Sequence, residues 1–195
     1  MTDAPPTTAD DRAERPDEAL LAGFLEGDER CFTALMNRYR DRVFRLVLRY
    51  TCGDRDAAED VAQQAFVKVF TEGKSFRGEG SLRSWLFSTA VHLAISEARR
   101  RARTAPQSAA REPASPEGAE SADARIDRAM QVARVTAAAA RLPEKQRLVL
   151  SLRVDADLPF EEIARVAGMS VNSAKVNYHH AVTSLKRLIL EGETP

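Results

Sequence analysis

The chain has 195 residues and a formal net charge of zero, because its 29 basic side chains balance 29 acidic ones. Its apolar content of 44% is ordinary for a globular protein and suffices for a hydrophobic core. No apolar run approaches the roughly 18 residues of a membrane span, and the acidic N-terminus lacks the plan of a signal peptide. We therefore expect a cytoplasmic protein of one or two domains, with no membrane contact.

The charges are unevenly distributed along the chain. Residues 1–18 contain six acids and two bases, and residues 104–129 contain five acids and three bases. The stretches 19–103 and 130–195 carry a small excess of bases, 15 against 11 and nine against seven. Composition predicts a disordered acidic tail over residues 1–18. It also predicts a flexible acidic linker over residues 104–125, which contain three prolines and show no helical periodicity.

The first block, residues 19–103, reads as three consecutive helices, because no stretch alternates as a strand would. Asp28 precedes an amphipathic run and is a suitable N-cap. Asp56 has the spacing of a capping box for the second helix. Ser81 is expected to cap a third helix that ends near residue 102.

The second of these helices is apolar around more of its circumference than a surface helix needs. It is either a core helix wrapped by its neighbours or a helix with one face that awaits a partner. A polar stripe beside this surface is suited to the rim of an interface. The apolar positions are Ala58, Val61, Ala62, Ala65, Phe66, Val69 and Phe70, and the polar ones are Asp60, Gln63, Gln64 and Lys68.

The third helix carries the single tryptophan, Trp85, and finishes in four closely spaced arginines. Arginines at a helix C-terminus complement the helix dipole, which accounts for one or two of them. Four of them near an accessible aromatic ring and hydroxyl side chains suit single-stranded DNA, because arginines neutralise phosphates and aromatic rings stack on bases. The alternative interpretation is that Trp85 is a core residue.

The last block, residues 126–195, is also helical and has the pattern of a helix-turn-helix. We therefore expect an all-α fold, with two small helical domains joined by the flexible linker. Gly168 permits the turn, and Ser170 is expected to cap the helix after it. That helix packs through small and aromatic residues spaced by three and four. Its opposite face presents polar side chains near the helix N-terminus, the end that enters a DNA major groove. These residues are Asn172, Ser173, Lys175, Val176, Asn177 and His179. The alternative is a plain helical hairpin with a solvated face.

The sequence contains no signature of an enzyme or of a metal site. It lacks a phosphate-binding glycine loop, a metal-ligand spacing and a paired nucleophile and base. His179 and His180 are adjacent on a helix and point about 100° apart, so they form no shared ligand pair. We expect no catalytic residues, no metal, no cofactor and no small-molecule substrate.

Several motifs occur in a fixed order along the chain. In the first block D-x-x-Q-x-x-F is followed by F-R-G, W-L and the basic helix end. In the second block L-P-x-x-x-R is followed by E-E-I-A. They stand at Asp60, Gln63 and Phe66; at Phe76, Arg77 and Gly78; at Trp85 and Leu86; at Arg99, Arg100 and Arg101; at Leu142, Pro143 and Arg147; and at residues 161–164. In this order and spacing the chain resembles bacterial RNA polymerase sigma factors of the extracytoplasmic function (ECF) type, in the sigma-70 family.

The resemblance covers about residues 19–103 and 130–190 and implies a division of roles. Residues 19–103 would be a region 2 domain that binds core RNA polymerase and the −10 promoter element. Residues 126–195 would be a region 4 domain that reads the −35 element as duplex. An anti-sigma factor is also an expected partner, besides polymerase and promoter DNA.

The resemblance also assigns residues to each contact. Polymerase would be bound by Asp60, Gln63, Gln64 and Phe66. The −10 DNA would be bound by Phe76, Arg77, Ser81, Arg83, Ser84, Trp85, His92, Arg99, Arg100, Arg101 and Arg103. The −35 DNA would be bound by Asn172, Ser173, Lys175, Val176, Asn177 and His179. His92, Ser96 and Asn177 depart from the residues frequent in the family.

Two other function classes stay open at this point. A stand-alone helix-turn-helix regulator would bind duplex DNA without polymerase, although it leaves the first block unexplained. A helical adaptor, whose arginines only complement a helix dipole, is a third possibility.

Overall fold

The computed structural model of the chain describes residues 12, 14–51, 53–73, 76, 80–104 and 122–191. Side chains are described for the same ranges up to residue 103 and for residues 130–190. Every regular element within these ranges is an α-helix, which confirms the predicted all-α class. The eight helices described are α1 (Asp17–Leu25), α2 (Glu29–Tyr50), α3 (Arg55–Glu72), α4 (Leu82–Thr104), α5 (Ala122–Ala140), α6 (Glu144–Val154), α7 (Phe160–Ala167) and α8 (Val171–Glu191). None of those helices has the length and apolar character required to cross a bilayer.

The predicted helix caps are present at three of four positions. The Asp28 carboxylate accepts a hydrogen bond from the backbone N–H of residue 30 at 3.1 Å. The hydroxyls of Ser81 and Ser170 each accept from the N–H three residues on, also at 3.1 Å. The cap of α3 is Asp54 rather than Asp56. Asp54 has the extended backbone that an N-cap requires, whereas Asp56 already lies in the first turn.

Helical structure begins closer to the N-terminus than the composition of this segment predicts. Asp17 begins α1, and its carboxylate accepts hydrogen bonds from the Arg38 guanidinium and the Tyr39 hydroxyl of α2. Burial, and then the Asp17 carboxylate, raise the pKa of Tyr39, so that this hydroxyl remains a donor. Arg12 also pairs with Asp28 at 3.0 Å. The predicted tail of residues 1–18 is therefore too long, and residues 1–11 and 13 lie outside the described residues.

The first module comprises α1 to α4, with α3 packed against both α2 and α4. Six of the seven apolar residues noted on α3 are at most 8% exposed, and Phe70 is the exception at 50%. Phe87 of α4 is fully buried and meets the Tyr39 ring edge-on, with centroids 5.9 Å apart. The core-helix interpretation of α3 is therefore correct for six of these seven residues and not for Phe70.

The second module comprises α5 to α8 and contains the predicted helix-turn-helix in α7 and α8. Gly168 ends α7 in the left-handed conformation, with φ of 61°. The N–H of Met169 closes the turn by donating to the carbonyl of Ala164 at 2.9 Å. Ala174 and Ala181 of α8 are fully buried, as their spacing predicts.

The two modules pack against each other, which the prediction of two domains on a flexible linker does not include. One hydrophobic cluster runs from Leu20 in the first module to Ala174 in the second. At the boundary the Arg49 guanidinium pairs with the Asp155 carboxylate, whose side chain is 2% exposed. Of the predicted linker, residue 104 belongs to α4 and residues 122–125 to α5, and residues 105–121 lie outside the described ranges.

The turn at Gly168 gives a stability prediction. No atom lies within 4 Å of the position that a Cβ would occupy there, so Gly168→Ala introduces strain and no clash. We expect Gly168→Ala to lower the free energy of unfolding by about 1–2 kcal/mol, the cost of a left-handed residue with a Cβ. Gly168→Asn is the control and should cost less, because Asn adopts this conformation more readily. Thermal denaturation measures both, and equal losses would contradict the conformational explanation.

Candidate nucleic-acid and protein interfaces

The outer side of α3 carries a shallow groove of about 380 Å³. Asp60, Gln63 and Gln64 are exposed along it, which brings together three of the four residues predicted to bind polymerase. The groove extends past Lys68 to Leu93 of α4. Its lining combines amide and charged groups with an apolar floor, which is the mixture found at a protein–protein interface.

Phe66, the fourth of these residues, lies in the core and is 5% exposed. Its ring holds α3 in place and is not available to a partner. The exposed apolar residues of this side are Val67 and Phe70, at 53% and 50%. The count of apolar residues included Phe70, omitted Val67 and left open which face of the helix is buried. The spacing of Phe70, three from Val67 and seven from Gln63, puts all three on one side of the helix.

Phe70 is fixed by two aromatic neighbours despite its exposure. Its ring centroid lies 4.9 Å from that of Phe24 in α1 and 5.3 Å from that of Phe32 in α2. Leu25, at the end of α1, is also exposed, at 37%. These rings form a partly exposed apolar cluster that joins three helices, and its member Phe70 lies on the same side of α3 as Val67 and Gln63 of the groove.

The helix α4 has one buried side and one polar side. Leu86, Phe87 and Ala90 belong to the buried side. The polar side is a stripe of residues that recur three or four positions apart and are partly or wholly exposed, here called the α4 stripe. Its members are Ser81, Trp85, Ser88, His92, Ser96, Arg99 and Arg103. At about 1.5 Å per residue, the stripe extends about 27 Å between Trp85 and Arg103.

Trp85 combines the two roles considered for it. It packs against the hydrophobic core while staying partly exposed, and its ring lies 5.7 Å from that of Phe76 at an angle of 39°. Ser84, predicted to contact DNA, is 7% exposed on the inward side of α4 and does not reach the stripe. Arg77 lies outside the described residues.

The four arginines at the end of α4 fall into two pairs. Arg100 and Arg101 both donate to Glu97 at 2.7 Å, and Arg101 also donates to Asp54, the N-cap of α3, at 2.6 Å. These hydrogen bonds, first from Arg100 and then from Arg101, lower the pKa of Glu97 to about 2. Arg99 and Arg103 lie instead on the α4 stripe. Of the four arginines counted in the sequence, two are thus held by carboxylates of their own module.

Carboxylates of the second module reach three of the residues predicted to bind −10 DNA. The Ser81 hydroxyl donates to Glu162 of α7 at 2.7 Å. Arg83 approaches Asp157, in the loop before α7, at 4.0 Å. Arg99 pairs with Glu144 of α6 at 3.4 Å. His92 and Ser96, between these contacts, remain exposed.

The outward face of α8 presents the residues predicted to read −35 DNA. Asn172, Ser173, Lys175, Val176 and His179 are exposed, with Val176 at 46%, and Asn177 is partly exposed. The Asn177 side-chain amide donates to the carbonyl of Ser173 at 2.8 Å, so this amide is partly used within the helix. The first turns of the helix thus offer amide, hydroxyl, ammonium and methyl groups in one patch.

Among the described residues, no group of three histidine, cysteine, aspartate or glutamate side chains could hold a metal ion. The rings of His179 and His180 lie 6.2 Å apart, between centroids.

Comparison with known proteins assigns both modules to one family. Residues 35–104 match sigma-70 region 2, and residues 133–185 match sigma-70 region 4. The RNA polymerase sigma-H factor of Pseudomonas aeruginosa is 28% identical over 193 residues, which cover 90% of this chain and 95% of the relative. The ECF RNA polymerase sigma-E factor of Escherichia coli K12 is 29% identical over 177 residues, which cover 82% and 86%.

Two solved structures share the fold. CnrH, in complex with the cytosolic domain of CnrY, matches with a TM-score of 0.66 and 22% identity over 91% of this chain and 99% of its own. The sigma factor RpoE of Bartonella quintana, in complex with the anti-sigma factor NepR, matches with a TM-score of 0.62 and 20% identity over 84% and 98%.

The Glu97 cluster gives a prediction of pH dependence. The pKa of Glu97 in the folded chain, about 2, lies below its ordinary value of 4.5. Its stabilising contribution is therefore complete above pH 4.5 and disappears as the pH falls toward 2. We expect Glu97→Gln to lower stability at pH 7 by about 0.5–1 kcal/mol, the range for exposed ion pairs. The loss should shrink below pH 4.5.

Denaturant unfolding at a series of pH values measures this difference. Glu26→Gln is the matched control, because Glu26 is an exposed glutamate outside any such cluster. A deficit of Glu97→Gln that stays constant down to pH 2 would contradict the role of the ionised carboxylate.

Proposed function

Since this chain belongs to the sigma-70 family, in its extracytoplasmic function class, we propose that it binds core RNA polymerase and directs it to promoters for transcription initiation. The observation that carries the proposal is the match of region 2 and region 4, in that order, to the two helical modules. It acts in the cytoplasm, where polymerase and promoter DNA are found.

The groove on α3 is the proposed docking surface for polymerase. It offers a polar rim at Asp60, Gln63 and Gln64 and an exposed apolar edge at Val67 and Phe70. Exposed apolar residues beside hydrogen-bonding groups are typical of the centre of a protein interface. Phe66 contributes by fixing the helix from within.

The α4 stripe is the proposed surface for the −10 element as it opens. Trp85 and the adjacent Phe76 supply aromatic rings at one end, for stacking against bases. Arg99 and Arg103 supply positive charge at the other end, for phosphates. His92 and Ser96 lie between them, and hydrogen-bonding groups there suit base edges or sugars.

The α8 face is the proposed reader of the −35 element. Asn172 can pair with adenine, Lys175 can reach guanine or phosphate, and Val176 can contact a thymine methyl group. With few cations on this face and a net charge of zero, the chain has little nonspecific attraction for DNA. The polymerase would supply this nonspecific attraction. A stand-alone regulator would have to supply it alone, so the low charge disfavours that function.

An anti-sigma factor is the remaining proposed partner. The solved structure of Bartonella quintana RpoE contains one, NepR, and shares the fold of this chain. Such an inhibitor would compete with polymerase or DNA for the surfaces described above.

Replacement of Val67 tests the docking surface. We expect Val67→Asp to weaken the binding of core polymerase at least about tenfold, because a carboxylate would be desolvated at the interface centre. Co-elution of the full chain with core polymerase on gel filtration, followed by a titration, measures the change. Val154→Asp is the matched control, since Val154 is equally exposed at 53% but lies in the second module.

Two outcomes would contradict the assignment. Equal binding of Val67→Asp and Val154→Asp would remove α3 from the interface. No co-elution of the wild type, together with tight binding of duplex DNA by the protein alone, would favour a stand-alone helix-turn-helix regulator.

The role of Lys175 gives a separate prediction about salt. The association constant K of holoenzyme and promoter DNA falls as salt is added, and log K is linear in log salt concentration. If the Lys175 ammonium contacts one phosphate, Lys175→Ala should reduce the magnitude of this slope by about 0.9. The measurement uses the holoenzyme and a promoter fragment that the wild-type holoenzyme selects from genomic DNA. Lys186→Ala, an exposed lysine three turns further along α8, is the control and should leave the slope unchanged. An unchanged slope for Lys175→Ala would remove this residue from the DNA backbone.

A further inference from the structure

The chain that leads into α1 is fastened to α2. Residue 12 and residues 14–18 form this segment, here called the N-terminal brace. Arg12 is 9% exposed and donates to the carboxylate of Asp28, the N-cap of α2, from Nε at 3.3 Å and from Nη2 at 3.0 Å. The Arg38 guanidinium donates to the carbonyl of Arg15 at 2.8 Å. Hydrogen bonds from charged groups thus hold the brace at two points along α2.

The brace also reaches α4 through the core. The Asp17 carboxylate accepts hydrogen bonds from the Tyr39 hydroxyl and from the Arg38 guanidinium. The Tyr39 ring is 4% exposed and meets the Phe87 ring of α4 edge-on. Leu20, one turn after Asp17, is fully buried in the same hydrophobic cluster. A change at Asp17 is therefore passed to α4 by way of one buried ring.

The start of α4 receives a second group from the brace. The backbone N–H of Leu82, the first residue of α4, donates to the Glu18 carboxylate at 3.4 Å. The backbone N–H of Ser84 donates to the Ser81 hydroxyl at 3.1 Å. The first N–H groups of a helix have no acceptor within the helix, and a negative charge beside them is favourable. The brace thus supplies one of the two side-chain acceptors described at this helix end.

The same helix end carries residues predicted to bind −10 DNA. A recess of about 480 Å³ lies between the brace and this end, and Ser81 and Arg83 line it together with Arg15 of the brace. Trp85 stands one turn after Ser81, and its N–H donates to the Ser81 carbonyl at 3.1 Å. The stretch that matches sigma-70 region 2 begins only at residue 35. The roles assigned to region 2 therefore leave the brace without a function.

We infer that the N-terminal brace positions the start of α4 for −10 DNA, with Asp17 and Glu18 as positioning residues that act through Tyr39 and Leu82. The inference rests on the −10 role proposed for the α4 stripe. The brace need not touch DNA, because it fixes the first turn of the helix, from which the aromatic end of the stripe projects. A surface whose groups are already held in place loses less conformational entropy when its ligand binds.

The first variant is Asp17→Asn, which preserves the shape of the side chain and removes its charge. A carboxylate accepts from two donors at once, whereas an amide offers one oxygen and turns an NH2 group toward the other donor. Asp41→Asn is the matched control, because it makes the same change at a side chain of α2 that is 73% exposed and pairs with Arg40 on the surface. Neither aspartate is proposed to touch DNA or polymerase.

The fluorescence of Trp85 reports on the start of α4, because Trp85 is the single tryptophan of the chain. We expect Asp17→Asn to make Trp85 at least about twofold more accessible to quenching by acrylamide, since the first turn of a helix opens readily once its anchors are lost. Asp41→Asn should keep the wild-type quenching constant. The full chain is measured without denaturant, so that the signal reads a local change in a folded protein.

The second readout is the opening of DNA by the holoenzyme. The probe is a promoter fragment that the wild-type holoenzyme selects from genomic DNA, and the reactivity of its unpaired thymines toward permanganate measures the opened fraction. At saturating holoenzyme we expect Asp17→Asn to lower this fraction at least about fivefold, because contact groups must be held within about 0.5 Å of their working geometry. Co-elution with core polymerase should be unchanged, since the groove on α3 is not altered.

A second variant keeps the inference testable in case Asp17→Asn does not fold. Tyr39→Phe retains the ring that packs against Phe87 and removes only the hydroxyl. It should change both readouts in the same direction as Asp17→Asn. The two substitutions together should do little more than Asp17→Asn alone, because both break the same hydrogen bond. Fully additive effects would contradict the path through Tyr39.

The outcomes separate this inference from the proposed function. Wild-type quenching of Trp85 in both Asp17→Asn and Tyr39→Phe would overturn the positioning of α4 by the brace. Stronger quenching with an unchanged opened fraction would overturn the role of the brace in −10 recognition. A wild-type holoenzyme that forms but opens no DNA would instead overturn the −10 assignment of the α4 stripe, and with it the DNA role of the brace.

Discussion

The burial of one side of α4 is the constraint on which the rest of this structure depends. Phe87 is fully buried against Tyr39, and its neighbours Leu86 and Ala90 continue the same side into the core. Because these residues face inward, the helical period places Trp85, Ser88 and His92 on the outer side of the helix. The α4 stripe is thus a consequence of core packing, and the same packing withdraws Ser84 from it.

Charge shapes the molecule through local pairing, because its net charge is zero. Glu97 and Asp54 engage Arg100 and Arg101 within the first module, while Glu144 of the second module reaches Arg99. A surface rich in arginine in the sequence is therefore largely neutralised in the folded chain. Such neutralisation weakens the nonspecific attraction for nucleic acid. A binding partner or a movement of the modules that displaces these carboxylates would restore part of that attraction.

Local signals predicted most of the secondary structure correctly. Asp28, Ser81 and Ser170 cap helices because a short polar side chain just before a helix satisfies free N–H groups, and these groups lie only two or three positions away. The cap of α3 was placed two residues late, since Asp54 and Asp56 both fit the local pattern and only the backbone conformation distinguishes them.

The sequence by itself determined the all-α class, the order of the modules, the turn at Gly168 and the exposed polar face of α8, because each follows from periodicity or short-range chemistry. Tertiary structure decided which side of a doubly apolar helix is exposed. It buried Phe66 and left Val67 and Phe70 at the surface, since that choice depends on where α2 and α4 pack. It also joined Arg49 to Asp155 across 106 positions of sequence. No local pattern specifies such a pair, because its stability comes from the burial that the folded modules create together.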